Sequence, residues 1–289
     1  MISLTRVRTP AAIHPHFRDQ GRITRSLVLL RDQRAIRRGE REKHDFDSDV
    51  WKQAKDQLLA ETFDKCAYCE APTAVVSYGD VEHYRPKSKY WWLAYCADNY
   101  LVSCAICNQR FKRDEFPHRN APLKEPTVRS NSTDAHLGNL SSILIPDPLD
   151  PAAVTNFTDR HNEERPLLLN PYFDPPESFF AWRADINIKE VELVPRPKNP
   201  VAQDYVGAAE EFFGLNRKQL LGFRYFIFES YLTHKRTLLD PGISAATRAD
   251  NQQVIVNMTL PERPFAGMIR FFESVGQPED WEAGGFFLQ

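Results

Sequence analysis

The reading of this chain turns on three runs: Cys66-Ala-Tyr-Cys69, Val81-Glu82-His83-Tyr84-Arg85-Pro86-Lys87, and Asn99-Tyr-Leu-Val-Ser-Cys104-Ala-Ile-Cys107-Asn108. Together they hold two Cys-x-x-Cys pairs, Cys66/Cys69 and Cys104/Cys107. Four thiolates at such spacing close a tetrahedral zinc site with no open position. A site of that kind is structural, and it ties down a fold too small to build its own core. The pairs are separated by 34 residues, more than the roughly 15–20 of a zinc ribbon. The excess leaves room for a strand pair carrying His83. A redox motif would need only one pair, in a thioredoxin-like setting.

Local structure follows outward from that stretch. The first pair is expected to form a knuckle-type turn. Residues 75–82 alternate loosely and carry β-branched side chains, so a strand is placed at 81–84, and Arg85-Pro86 ends it because proline offers no ladder donor. Residues 99–111 are expected to form the second cysteine turn and a short helix, which gives ββα with a zinc staple. Upstream, a helix is expected over 23–41, weakened at its end by Gly39. A second is expected over 48–63, capped by Asp47 or Ser48, with Val50, Trp51, Ala54, Leu58 and Leu59 on one stripe. Downstream, 117–166 is rich in Pro, Ser, Asn and Asp and reads as loops or an insertion. A turn-rich run at 167–180 and a hairpin over 181–193 come next. Two helices over 203–239, broken near Gly214-Leu215-Asn216, and a last helix over 265–273 complete the chain.

The polar residues inside the cysteine frame are a carboxylate beside a histidine, Glu82-His83, and two asparagines, Asn99 and Asn108. A neutral imidazole takes a proton from water near pH 7, since its unperturbed pKa is about 6.5. An oxygen-rich site from Glu82 and Asn108 suits Mg²⁺ or Mn²⁺ better than zinc. One difficulty is built in. Successive strand side chains point to opposite faces, so Glu82 and His83 converge only if the strand is distorted or the cation sits at its edge. Taken singly, each residue has a duller reading, as a surface pair, a turn or a helix cap. Taken together, in this order, they favour a catalytic one.

These runs, with Lys112 and Phe116-Pro117 after them, resemble the HNH endonuclease family, and within it the PtuB-like group of Septu antiphage systems and some retron operons. Pro166-Leu-Leu-Leu-Asn170-Pro171 and Leu215-Asn216-Arg217 support that group more weakly. The resemblance implies an α+β fold: a ββα-metal (HNH) core with a structural four-cysteine zinc, embedded in mostly helical N- and C-terminal additions. It implies His83 as general base and Asn99 as the residue bracing the base's loop. It also implies Glu82 and Asn108 as ligands of the catalytic cation, and Lys112 as a phosphate contact, a task Arg110 could share. The departures are Glu at 82, where many relatives carry Asp, and Asn in place of His at 108. The group further implies a partner ATPase of the ABC or structural-maintenance (SMC) type. No Gly-x-x-x-x-Gly-Lys loop occurs in this chain, so ATP hydrolysis must come from another subunit.

Arg85, Lys87, Arg110 and Lys112 flank the site and suit a phosphate backbone, while Trp91, Trp92 and Tyr95 suit stacking on unpaired bases or core packing. The net charge is only −2, yet residues 1–43 hold eleven Lys/Arg against four Asp/Glu. That basic segment suits phosphates or an acidic partner. Cys96 is left over and is expected to be buried and inert. The 289 residues divide into a basic helical segment at 1–62, the nuclease core at 63–120, and an insertion with a helical buttress or interface at 121–289. No apolar run reaches the ~20 residues of a membrane helix and no signal peptide is recognisable, so a cytoplasmic location is expected. DNA is the expected substrate. RNA, including tRNA, or a non-catalytic zinc module that binds nucleic acid or a partner, are the competing readings.

Overall fold

The computed structural model describes residues 1–75 and 77–288; Val76, inside the alternating 75–82 run, lies outside them. The chain is mixed α+β, with helices predominating over two small sheets. Helix α1 (Asp19–Arg37) is followed by α2 (Ser48–Lys52) and α3 (Lys55–Thr62). The last two occupy the span expected to be one helix. Asp47 caps α2 by accepting from Asp49 N, and Val50, Ala54 and Leu58 are buried as one stripe. Strands β1 (Asp80–His83) and β2 (Tyr100–Ser103) pair antiparallel, with Glu82 opposite Leu101 and His83 opposite Tyr100. After β2, Ile106–Lys112 winds as a π-type helix.

The stretch expected to be loops contains two helices, α4 (Asp134–Ile143) and α5 (Pro151–Asn162). Both are short and amphipathic, and both carry caps the composition hides. Thr133 accepts from His136 N, and Asp150 accepts from Ala152 N and Ala153 N ahead of Pro151. The basic N-terminal helix accounts for how α4 is held. Arg22 donates to the Ser142 and Ile145 carbonyls, and Arg34 to the Ser132 carbonyl, while Arg34 also pairs with Asp134. Arg38 donates to Ser130 O, and Arg37 pairs with Glu125. These arginines staple the 125–145 segment to α1.

Strands β3 (Phe180–Asp185) and β4 (Glu190–Pro195) form the expected hairpin. Ile186 and Ile188 lie in its turn, beyond the paired residues. Helices α6 (Ala202–Phe213) and α7 (Lys218–Leu239) break at Gly214, whose φ of +62° favours glycine. Helix α8 (Ala245–Met258), which the sequence reading passed over, packs on α7. Helices α9 (Ala266–Val275) and α10 (Pro278–Ala283) precede β5 (Phe287–Leu288), which pairs parallel to β3. One apolar cluster runs from Leu29 and Leu58 through Tyr100 and Phe213 to Phe228, Phe272 and Trp281. No helix among the described residues is long and apolar enough to cross a membrane.

Candidate functional site

The two cysteine turns meet at the end of the β1–β2 pair. In the first, Cys66 N bonds to Ala71 O, Ala67 N to Val102 O, and Glu70 N to Cys66 O, with Glu70 at φ +60°. In the second, Asn108 N bonds to Cys104 O, and Cys107 N donates to Cys104 Sγ at 3.4 Å. The sulfur atoms of Cys66, Cys69, Cys104 and Cys107 all lie within 4.8 Å of one another. Four sulfurs about 2.3 Å from one centre stand about 3.8 Å apart, so the donor set fits a tetrahedral zinc. Cys96 is buried away from the quartet, and burial pushes its thiol far up.

The residues of β1 divide by face, as strand alternation requires. His83 is buried, with Trp51 and Tyr100 edge-on to its ring, both at 5.1 Å between centroids. Its Nε2 lies 3.0 Å from Ala94 O. A carbonyl only accepts, so Nε2 carries the hydrogen and Nδ1 keeps its lone pair. Burial first, and Lys87 second, pull this imidazole down to about 3. It is therefore neutral across the working pH range.

Glu82 and Asp80 share the other face. Glu82 is buried, with Oε1 at 2.5 Å from Nζ of Lys112, which is itself fully buried and donates to His83 O at 3.1 Å. Glu82 Oε1 meets that ammonium as an ion pair without an aligned hydrogen bond. Burial raises the Glu82 carboxyl, and Lys112 opposes the rise. Asn108 lies along the same face: its amide nitrogen donates to Asp80 Oδ2 at 3.2 Å, as does that of Gln109 at 2.9 Å. That leaves Asn108 Oδ1 without a hydrogen-bond donor among the described residues. Carboxylate and amide oxygens on one strand face suit a hard divalent cation, with Lys112 as the competitor for Glu82.

Asn99 fastens the turn that follows β1. Its Oδ1 accepts from Arg85 N at 2.8 Å and its Nδ2 donates to Arg85 O at 2.9 Å. Tyr84 N bonds in turn to Asn99 O. Both backbone groups of Arg85 are thus held by one side chain. The Arg85 guanidinium points inward, donating to Glu164 Oε2 at 2.8 Å and to His161 O at 2.9 Å. Tyr90 and Leu123 N complete the Glu164 carboxylate.

The structure therefore brings the four cysteines together, sets Glu82, Asp80 and Asn108 on one side of β1, and sets His83 on the other. Of the four basic residues expected at phosphate, Arg85 and Lys112 are buried in ion pairs. Arg110 is exposed, and Lys87 is half-buried over the Trp51 ring. Trp91, Trp92 and Tyr95 are buried. The sequence reading missed Asp80, which period-two spacing before Glu82 could have marked, and Glu164, for which no local signal exists.

No family model and no solved structure matches the chain. It is 33% identical over 116 residues to the Septu protein PtuB of Bacillus mycoides (strain KBAB4), a match covering 35% of this chain and 38% of that protein. The chain is related to PtuB-like proteins over that part, and it spans well under half the length of the relative it matches.

Proposed function

We infer that the chain is a metal-dependent HNH-type nuclease that hydrolyses phosphodiester bonds in DNA, as a component of antiphage defence alongside a partner ATPase. The observation that carries this reading is the placement of His83 at the end of β1: its Nε2–H is fixed on Ala94 O and its Nδ1 is left to accept, and the turn that follows is clamped by Asn99. In this role Nδ1 accepts the proton of an attacking water. A base held near 3 is weak, but phosphate charge beside it, and engagement of Lys87 with that phosphate, both raise it. Glu82 and Asn108 would hold Mg²⁺ or Mn²⁺, with Asp80 positioning the Asn108 amide. When bound, the cation supplies positive charge to the scissile phosphate and the leaving 3′ oxygen. Arg110 and Lys87 meet the nucleic-acid backbone. The likeness to a Septu protein supports the defence role and the presence of a partner.

A second reading, a zinc-stapled module that binds nucleic acid or a partner without turnover, is favoured by one observation: Lys112 already sits on Glu82. The two readings separate in one assay. The full chain, alone and with the co-purified product of a neighbouring gene, is given DNA and tRNA with Mg²⁺ or Mn²⁺. Cleavage that falls about 10²-fold or more in His83→Ala, at unchanged zinc content, supports the nuclease. Equal cutting by a folded His83→Ala removes the mechanism. Salt-sensitive binding with no metal-stimulated turnover favours the second reading.

A further inference from the structure

The Leu215-Asn216-Arg217 run lies far from the cysteines in sequence, and its arginine reaches them. Helix α6 is capped by Gly214, where a Cβ would come within 2.4 Å of the Phe111 ring, so the π-type helix that carries Cys107 presses directly on the α6–α7 junction. On the other knuckle, Tyr68 stacks on Phe213 with ring centroids 3.9 Å apart. Arg217 completes the junction. Its Nη1 stands 3.7 Å from Cys107 Sγ and its Nη2 3.8 Å from Cys69 Sγ, one sulfur from each pair. The same Nη1 donates to Gly214 O at 3.1 Å, at the end of α6.

Charge gives this fork a purpose. A divalent ion held by four thiolates carries a net charge of −2, and such a charge inside a protein requires nearby positive groups. Arg217 supplies one at contact distance. Further along α7, Arg224 is fully buried and makes no ion pair among the described residues. Its Nε and Nη2 lack hydrogen-bond partners, and its one carboxamide contact, to Asn216, is 3.5 Å. It lies over the Trp182 ring at 4.6 Å. A buried cation in that state is strongly unfavourable unless a negative centre stands close by. The negative groups that act on it are the Cys69 thiolate, a member of the quartet, and the buried Glu70 carboxylate.

We propose that Arg217 is an integral member of the four-cysteine metal site: its guanidinium joins a thiolate of each pair to the end of α6 and offsets the charge of the tetrathiolate centre. The metal thereby fastens the C-terminal helices to the β1–β2 unit. This rests on the zinc reading of the cysteines and is independent of the nuclease reading.

Zinc release from the full chain to a chromogenic chelator, and the thiolate-to-metal absorption of the cobalt-substituted protein, test it without any activity assay. Arg217→Met is expected to release zinc about tenfold faster or more and to shift the cobalt–thiolate band. Arg217→Lys, with its charge kept but only one prong, falls between Arg217→Met and the parent. Removing the metal from the unaltered protein is expected to raise amide exchange across 213–217 together with 66–69 and 104–107, and this arm needs no variant to fold. Release at the parent rate with an unshifted band overturns the proposal. So does unchanged exchange at 213–217 on metal removal, or purified chain that holds no zinc.

Discussion

The cysteine quartet and the Glu82–His83 pair are neighbours in space and opposites in construction. The quartet comes from two turns, where backbone direction is free to change, and all four side chains gather within 4.8 Å. The pair comes from adjacent positions of a paired strand, and the pleat sends one to Trp51 and the other to Lys112. Turns converge side chains, whereas strands separate consecutive ones. In the nuclease proposed above, the residues of one face would hold the cation and the imidazole would be reached around the strand's end.

The heaviest blow to this contrast is removal of the metal. Structural zinc contributes about 10–16 kcal/mol of apparent binding energy in small modules, comparable to the roughly 5–15 kcal/mol that holds a whole domain. Cys104→Ser, or chelation, is expected to abolish the cooperative melting transition of the chain. Circular dichroism with parallel zinc quantitation reads this, and an unchanged melt in metal-free protein breaks the account of the quartet.

Next in size are two buried ion pairs that look alike and are expected to behave differently. Lys112→Met leaves Glu82 buried without its cation, and Glu164→Ala leaves Arg85 buried without its carboxylate. Each costs about 3–5 kcal/mol in urea unfolding. Mn²⁺ is expected to restore much of that loss in Lys112→Met, because a divalent ion takes the ammonium's place on Glu82, and to do nothing for Glu164→Ala. Equal responses to Mn²⁺ would detach Glu82 from any cation site.

A smaller effect appears in acid. Burial holds folded His83 and His161 at about 3, below the ordinary 6.5. The unfolded chain then binds protons first as the pH falls, so stability is intact above 6.5 and declines between there and 3. At pH 5 each histidine withdraws about 2 kcal/mol. His83→Gln and His161→Gln should each remove one proton from the slope of unfolding free energy against pH. The least effect is expected at Cys96→Ala: about 1 kcal/mol, with the zinc content of the purified chain unchanged.

Legibility from sequence tracked the range of the interactions. Cys66 to Cys69 and Cys104 to Cys107 are set by four-residue turns, and their spacing announced the cluster. The strand at Glu82-His83, the hairpin at β3–β4 and the break at Gly214 were readable because alternation, caps and a left-handed glycine act within a few residues. The helices α4 and α5 were hidden, since the stretch around them is rich in Pro, Ser, Asn and Asp and reads as loops. Only in the folded chain do α1 and its C-cap supply Arg22, Arg34 and Arg38 to the carbonyls around α4. The burial of Arg85 and Lys112 was equally invisible. A basic residue beside a candidate site looks like a phosphate contact until Glu164, 79 residues away, is found against it.

By itself, the sequence determined that four sulfurs would close a site around a short strand pair, because turn spacing and thiol chemistry are local properties. The tertiary structure alone decided which charges face solvent and which are matched inside, and that an arginine just ahead of α7 reaches those sulfurs. Burial and long-range pairing depend on segments that meet only when the chain is folded, and no window of residues carries that information.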